Sequence, residues 1–413
     1  MKKVLSIVLA LVLLFSLSAP AFAEEIIMAH DKLNPNYQPF FEEWAKACEA
    51  ATGVAFTPVS YPSTDMFAAN MKTALPTDKA PQLFTWWSTY QGAELVEADL
   101  VMDITAQWDN HKDEYSEGLR NAFTFDGKVF GIPMDLSYWY VYYNTKVFED
   151  NGLVPPKTWD ELIAIADKLV EVGVTPFNLT ANDGWTSFIW FEELLLRSDP
   201  QAYEDLCAGV IRWDDPAVQN VFEIWADMIG KNYFTEASVD LFTDIPKLFN
   251  EDRLGMVMCG SWYLSPQLDA AIADGKVGSF LMPSMGDNGN HIIYEVSSIQ
   301  VAKNNAAPED TLKVVDYLMS VEGNETYAKL AQKIPGNPAA SSDFLPTVIS
   351  DRVAELTAGG YNLHNRYWEN CPTPIMMAGV AAFDAFILNP DLGSLDVLLQ
   401  EVQAEADDYY EDR

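Results

Sequence analysis

The stretch Phe125 to Gly173, FDGKVFGIPMDLSYWYVYYNTKVFEDNGLVPPKTWDELIAIADKLVEVG, constrains the fold of this chain more than any other. Asp126-Gly127 is a turn pair. Val129 to Met134 forms a short extended run through Pro133, and Ser137 to Tyr143 forms a second, aromatic-rich strand. Pro155 and Pro156 halt the chain before Thr158, which with Glu161 makes a capping box. Leu162, Ile165, Ala166 and Leu169 then recur at helical spacing, and Gly173 is placed to end the helix. Taken by itself, this is a strand–strand–helix unit with firm punctuation.

The first residues read as a secretory leader: Lys2 and Lys3, an apolar run from Val4 to Leu17, and the small-x-small site Ala21-Phe22-Ala23. The run is too short to span a bilayer, so residues 1–23 are expected to be removed, leaving an exported, soluble protein. What remains is longer than a single core usually serves, which favours two lobes. The chain carries 25 basic and 61 acidic residues, a formal charge of −36, which disfavours nucleic acid and anionic lipid as partners. Four cysteines, Cys48, Cys207, Cys259 and Cys371, are too few for a disulfide scaffold. Export permits bridges, buried thiols fit equally well, and the spacing selects neither.

Strand alternates with helix along the chain. Ile26 to Ala29, Val54 to Val59 and Gln82 to Thr85 read as strands. Phe40, Trp44, Ala47, Cys48 and Ala51 mark a helix closed by Gly53, and Met66 to Leu75 marks another. Ile299 to Ala302 is a late strand, followed by a helix begun at Pro308. This alternation predicts an α/β fold with mainly parallel sheet flanked by helices. There is no internal repeat or Gly/Ser linker, so the lobes are not beads on a string.

The run DGKVFGIP, then YYNTK, then PPKTWDEL closely resembles the signature of the family 1 extracellular solute-binding proteins, the sugar-binding receptors of ABC importers. APQLFTWW, FNEDRLGMVMCGSW, FLMPSM, IQVAKN and the QKIPGNPA region extend the likeness from Glu24 nearly to the end. The resemblance implies a two-lobed type II periplasmic-binding-protein fold, maltose-binding-protein-like, with lobes joined by crossing hinge strands. Lobe one would take residues 24–135 and 297–339, and lobe two residues 136–296 and the helical 340–413. Hinges fall at Met134 to Tyr138, Glu295 to Ser298 and Pro338 to Asp343. It also implies a carbohydrate ligand, ABC permease subunits as partners, a monomeric receptor, and no metal or organic cofactor.

A sugar offers apolar C–H faces and a ring of hydroxyls, so its site needs aromatic plates and planar polar groups. In open α/β sheets such sites lie beyond the carboxyl ends of strands. His30, Asp31 and Lys32 follow the first strand, where relatives hold a ligand-facing loop. Trp86 and Trp87 follow another. Adjacent strand residues point to opposite faces, so at least one of the two is expected in the cleft. By the resemblance, Asp135 and Ser137, with Tyr138 and Trp139 beside them, occupy the first crossing. Trp185, flanked by Asn182 and Asp183, supplies a stacking aromatic, and the Gly260-Ser261-Trp262 loop presses its indole on the ligand. Two departures from the family pattern stand out. Tyr294-Glu295-Val296 replaces glycines near the second crossing, making Glu295 a hydroxyl acceptor or the cleft smaller. Lys333 to Pro338 replaces a Gly-x-Ile-Pro-Ala loop. His364, Asn365, Arg366 and Trp368 fall where a last contact is expected. No cysteine lies near Ala23 to take a lipid, which places the receptor in a periplasm or at a cell surface by other means.

Two other classes compete. A secreted glycoside hydrolase needs two carboxylates at set separation, and pairs such as Glu192-Glu193 arise by chance among so many acids. A carbohydrate-binding surface module would lack the crossing signature. No GxSxG, HExxH, CxxC, Walker or dinucleotide motif is present. The expectation is a binding protein without catalysis.

Overall fold

A computed structural model of the chain describes residues 25–32, 38–182 and 184–411. The expected leader, residues 1–23, and Asp183 lie outside the described residues. Twelve strands are present among those described: β1 Ile26–His30, β2 Phe56–Ser60, β3 Leu83–Trp86, β4 Thr124–Phe125, β5 Lys128–Val129, β6 Gly131–Asn144, β7 Thr175–Phe177, β8 Leu254–Gly260, β9 Val277–Phe280, β10 His291–Val301, β11 Ile334–Pro335 and β12 Asn362–Asn365. Ten of them form one continuous sheet with the path β2-β1-β3-β10-β6-β8-β7, while β4 and β5 make a separate hairpin around Asp126-Gly127.

The two runs expected on either side of Asp135 are a single strand. Residues Gly131 to Tyr138 of β6 pair with β10, Asp135 and Leu136 also with β11, and Trp139 to Asn144 pair with β8 and β9. Pro133 does not interrupt β6 because it sits beside a bulge: Asp135 faces Ser297 and Pro133 faces Ser298, leaving Met134 as the extra residue. Proline is tolerated at such points because no ladder N–H is missed there. The carbonyls of Pro133 and Met134 each accept from Asn324 Nδ2 at 3.2 Å. Ile299 to Val301 likewise proves to be the end of the longer strand β10, whose start pairs with β12, while Ala302 forms an isolated bridge to Val101 just beyond it. The sheet is mixed rather than mainly parallel: β1 pairs in parallel with β2 and β3, β7 with β8 and β12 with β10. Every other pairing of the crossing strands β6 and β10 is antiparallel, because both run through the two halves.

Because β6 and β10 run through both halves, the apolar side chains separate into two regions. One cluster gathers Ile26, Trp44, Trp108, Ile132, Ile299 and Leu318 around β1, β3 and the helix Pro308–Met319. A small one with Phe67, Trp86 and Leu95 adjoins the same strands. The largest gathers Trp139, Leu169, Phe191, Trp225, Val257 and Phe383 around β7 and β8. Leu136, at the crossing, packs against both of the larger clusters.

Local signals behave as expected. Thr158 Oγ1 accepts from Glu161 N at 3.2 Å as the capping box requires, while the Glu161 carboxylate reaches one residue past the cap and accepts from Lys157 N at 2.7 Å. The helix Trp159–Glu171 buries Leu162, Ile165, Ala166 and Leu169, each large side chain contributing about 1.5–3 kcal/mol. Gly173 ends it at φ +80°, a conformation that costs glycine little. All four cysteines are buried thiols.

Candidate functional site

A cavity of about 680 Å³ opens between the two regions. Its walls come from residues just past strand ends: Asp31 and Lys32 after β1, Trp86 and Trp87 at the end of β3, Trp262 after β8, and Arg366, Trp368 and Glu369 after β12. Trp185 and the turn Asp240 to Thr243 complete the second side, while Glu295 to Ser298 of β10 form the back. The side chains emerge together because the carboxyl ends of strands from both halves meet at the crossing.

The aromatic lining is extensive. Trp185 and Phe242 each place their ring centroids 6.3 Å from that of Trp262. Trp87 meets Trp368 edge-on at 5.8 Å. Of the adjacent pair, Trp86 is buried and donates its indole N–H to Gln91 O at 3.0 Å, whereas Trp87 is half-exposed. Both touch the cavity.

The polar lining is largely spoken for. Trp262 Nε1 donates to Glu295 Oε1 at 2.5 Å, and Glu295 Oε2 pairs with Arg366 Nη1 at 2.6 Å. Arg366 also forks onto Glu369 through Nη2 at 2.5 Å and Nε at 2.9 Å. Its guanidinium lies 5.8 Å from the Trp139 ring centroid and 5.7 Å from that of Phe188. Burial alone would favour the neutral form of Arg366, but the two carboxylates outweigh it and push its pKa up. Asp31 accepts from Thr64 Oγ1 at 3.0 Å and pairs with Lys32 at 3.1 Å. Burial opposes its charge, yet these partners hold its carboxyl below the usual range.

Of the residues singled out in the sequence, Asp31, Trp86, Trp87, Trp185, Trp262, Glu295, Arg366 and Trp368 share the cavity. His30, Asp135, Ser137, Gly260 and Ser261 do not line it. His30 is the buried end of β1, stacked on Phe41 at 3.7 Å. Asp135 is fully buried and accepts from Tyr327 OH at 2.9 Å and Lys333 Nζ at 3.2 Å. Ser137 and Ser261 bond to each other at 3.1 Å. Gly260 acts from behind: a Cβ there would stand 2.5 Å from Trp262 Nε1. His364 turns away to His291 Nδ1 at 2.7 Å and to Glu204 Oε1 at 2.5 Å. Asn365 also lies outside the lining. Sequence reasoning missed Thr64, Asp65, Phe242, Thr243 and Glu369. Only Phe242, an aromatic in a polar turn, carried a readable signal.

Chemically, broad aromatic surfaces beside a few fixed polar groups suit a ligand with apolar faces and hydroxyl edges. A hydrolytic pair is not assembled from Glu192 and Glu193. Both are buried away from the cavity, Glu192 accepting from Tyr367 N at 2.8 Å and Glu193 pairing with Arg197 at 2.7 Å. Among the described residues, no group of three or more His, Cys, Asp or Glu side chains converges as metal ligands would. Nor is any helix there long and apolar enough to cross a membrane.

A family model described as bacterial extracellular solute-binding protein matches residues 43–354. The osmoprotective compounds-binding protein of Synechocystis sp. is 24% identical over 353 residues, covering 79% of this chain and 78% of that protein. Among solved structures, a bacterial solute receptor with an exclusive preference for β-D-galactopyranose superposes with a TM-score of 0.85 at 19% identity, covering 94% of this chain and 99% of that one. A chitin oligosaccharide binding protein superposes with a TM-score of 0.83 at 20% identity, with the same coverage, 94% and 99%. The fold is therefore the two-lobed type II periplasmic-binding-protein fold.

Proposed function

The chain belongs to the bacterial extracellular solute-binding protein family, and on that premise we propose that it is the receptor of an ABC importer that captures a neutral sugar or short oligosaccharide between its lobes. The observation that carries this reading is the tryptophan-lined cavity between two separate apolar cores bridged by continuous strands. Relatives described as binding galactopyranose, chitin oligosaccharides and osmoprotective compounds support the class of ligand. The wall carries five acids, Asp31, Asp65, Asp240, Glu295 and Glu369, against three cations, Lys32, Lys333 and Arg366, and this small acidic excess disfavours anionic ligands.

In this reading lobe one comprises residues 24–135 and 297–339, and lobe two residues 136–296 and 340–413. Residues Met134 to Tyr138, Glu295 to Ser298 and Pro338 to Asp343 act as hinges. The bulge between Ser297 and Ser298 supports this, since a locally unpaired residue lets two halves of a strand reorient. The ligand must bind the closed form more tightly than the open one to shift the population. The receptor acts as an exported monomer, does no chemistry on its ligand, needs no cofactor, and hands the ligand to membrane permease subunits.

A thermal-shift screen against mono- and oligosaccharides, polyol osmoprotectants and sugar phosphates tests this. A true ligand at a hundredfold its Kd stabilises by about 2.7 kcal/mol, and it should be recovered intact by chromatography after long incubation. A phosphorylated ligand as the sole hit would overturn the neutral-sugar reading, and turnover would overturn the receptor reading.

A further inference from the structure

The helix Thr89–Glu97 begins immediately after the cavity tryptophans and packs Leu95 into the small cluster of the first region. Its first turn reaches across to a segment whose Trp368 belongs to the core of the other region. Gln91 Nε2 donates to Trp368 O at 2.9 Å, and Thr89 Oγ1 donates to Glu369 O. Thr89 Oγ1 in turn accepts from Asn365 Nδ2 at 3.4 Å. Gln91 also holds the other wall, because its own carbonyl accepts the indole N–H of Trp86. One buried residue thus joins cavity tryptophans from both sides, its main-chain carbonyl holding Trp86 and its side-chain amide the Trp368 carbonyl, although neither Gln91 nor Thr89 lines the cavity.

The backbone at this point is unusual. Thr89 has φ +48°, in the left-handed region where a β-branched residue is strained. Such strain persists where the surroundings over-determine the conformation, and it collects at clamps and switches. Here the left-handed turn accompanies a hydroxyl directed at the Glu369 carbonyl. Both acceptors are main-chain carbonyls at the short helix Tyr367–Asn370. Water can satisfy them when the regions part, whereas in the closed arrangement they need a protein donor.

We infer that Thr89 and Gln91 form an interlobe latch: they seat the Trp368–Glu369 turn on the first lobe and so set the spacing of the tryptophan walls in the closed cleft. They are positioning residues, acting through Trp86 and Trp368. The inference rests on the receptor reading for its motion, since a rigid module would have nothing to latch. A neutral buried hydrogen bond shifts the closed-to-open ratio by about fivefold to tenfold, enough to bias closure without locking it.

The test uses Gln91→Met, which keeps the side-chain length and removes the donor, and Thr89→Ser, which keeps the hydroxyl. Gln91→Met should raise the dissociation rate of the best sugar from the screen by about fivefold to tenfold, with association little changed. It should also enlarge the radius of gyration of the empty protein in small-angle scattering. Thr89→Ser should keep wild-type dissociation. Gln91→Glu should behave as Gln91→Met while ionised and recover as its carboxyl gains a proton and becomes a donor. Unchanged dissociation and scattering in Gln91→Met overturn the latch. So does a lower melting temperature with unchanged dissociation, which marks Gln91 as an ordinary core residue. If no sugar binds, the receptor reading fails by itself, and scattering of the empty variants still decides the latch.

Discussion

Glu295, on the second crossing strand, accepts the indole N–H of Trp262 at 2.5 Å. Its remaining oxygen holds Arg366, so one carboxylate fixes cavity groups from two distant segments, the Trp262 plate and the Arg366 guanidinium. Trp262 cannot rotate without leaving a buried acceptor to Arg366 alone, and this pre-sets the plate before any ligand arrives.

Trp262→Ala should weaken binding of the best sugar by about 2 kcal/mol, the loss expected when an aromatic anchor is removed from a lined pocket. Calorimetry on folded variant protein measures this. Because Trp262 is only half-buried, the melting temperature should change little. Wild-type affinity would remove Trp262 from the site.

Gly260→Ala should disturb the same plate from behind. The new methyl would stand 2.5 Å from Trp262 Nε1, 2.8 Å from its Cδ1 and 3.1 Å from Glu295 Oε1. Overpacking of this kind costs about 1–3 kcal/mol. Urea denaturation should show that loss together with weaker sugar binding; full affinity with normal stability would mean the loop yields freely.

Glu295→Ala should destabilise the protein by about 3 kcal/mol, the low end for breaking a buried pair, because Arg366 keeps Glu369 as a partner. Glu295→Gln should lose less, since it retains an acceptor for Trp262. Equal stability of Glu295→Ala and wild type in urea would show that the network adds no net stability.

Stability should fall as pH drops through the histidine range. Burial, the largest influence on His30, lowers its pKa from 6.5 to about 4, with Asp31 raising it and Lys32 lowering it. The unfolded chain therefore takes up a proton below pH 6.5 that the folded chain refuses until about pH 4. The stabilisation is complete above the unfolded value and is lost progressively over that window, to the order of 3 kcal/mol. His30→Phe, which keeps a ring to stack on Phe41, should flatten this slope in urea titrations. An identical slope would assign it to other groups.

Much of the local structure could be read directly. The Thr158 cap, the Gly173 stop and the buried face between them depend on atoms a few residues apart. The tryptophans after strand ends were legible because strand ends and aromatic residues are both visible in a sequence. Less legible was the unity of β6. Pro133 and Asp135 look like a break, and only pairing with β10 at a bulge shows that the chain continues. The roles of Asp135 and Ser137 were hidden for the same reason: their partners, Lys333 and Ser261, lie far along the chain.

The sequence by itself determined the alternation of strand and helix and the stock of aromatic plates, because periodicity, capping and turn chemistry act over short spans, while the two-lobed class came from its length and its family signature. Tertiary structure decided which polar groups face the cavity. Arg366 meets Glu295 because β12 lies parallel to β10 in one register, Tyr294 opposite Asn365. That register is set by burial of whole strand faces, and a one-residue slip would turn every side chain to the other side. No local run of residues encodes such a pairing, so the closed charge network, and the cavity it leaves to the tryptophans, exist only once the strands have assembled.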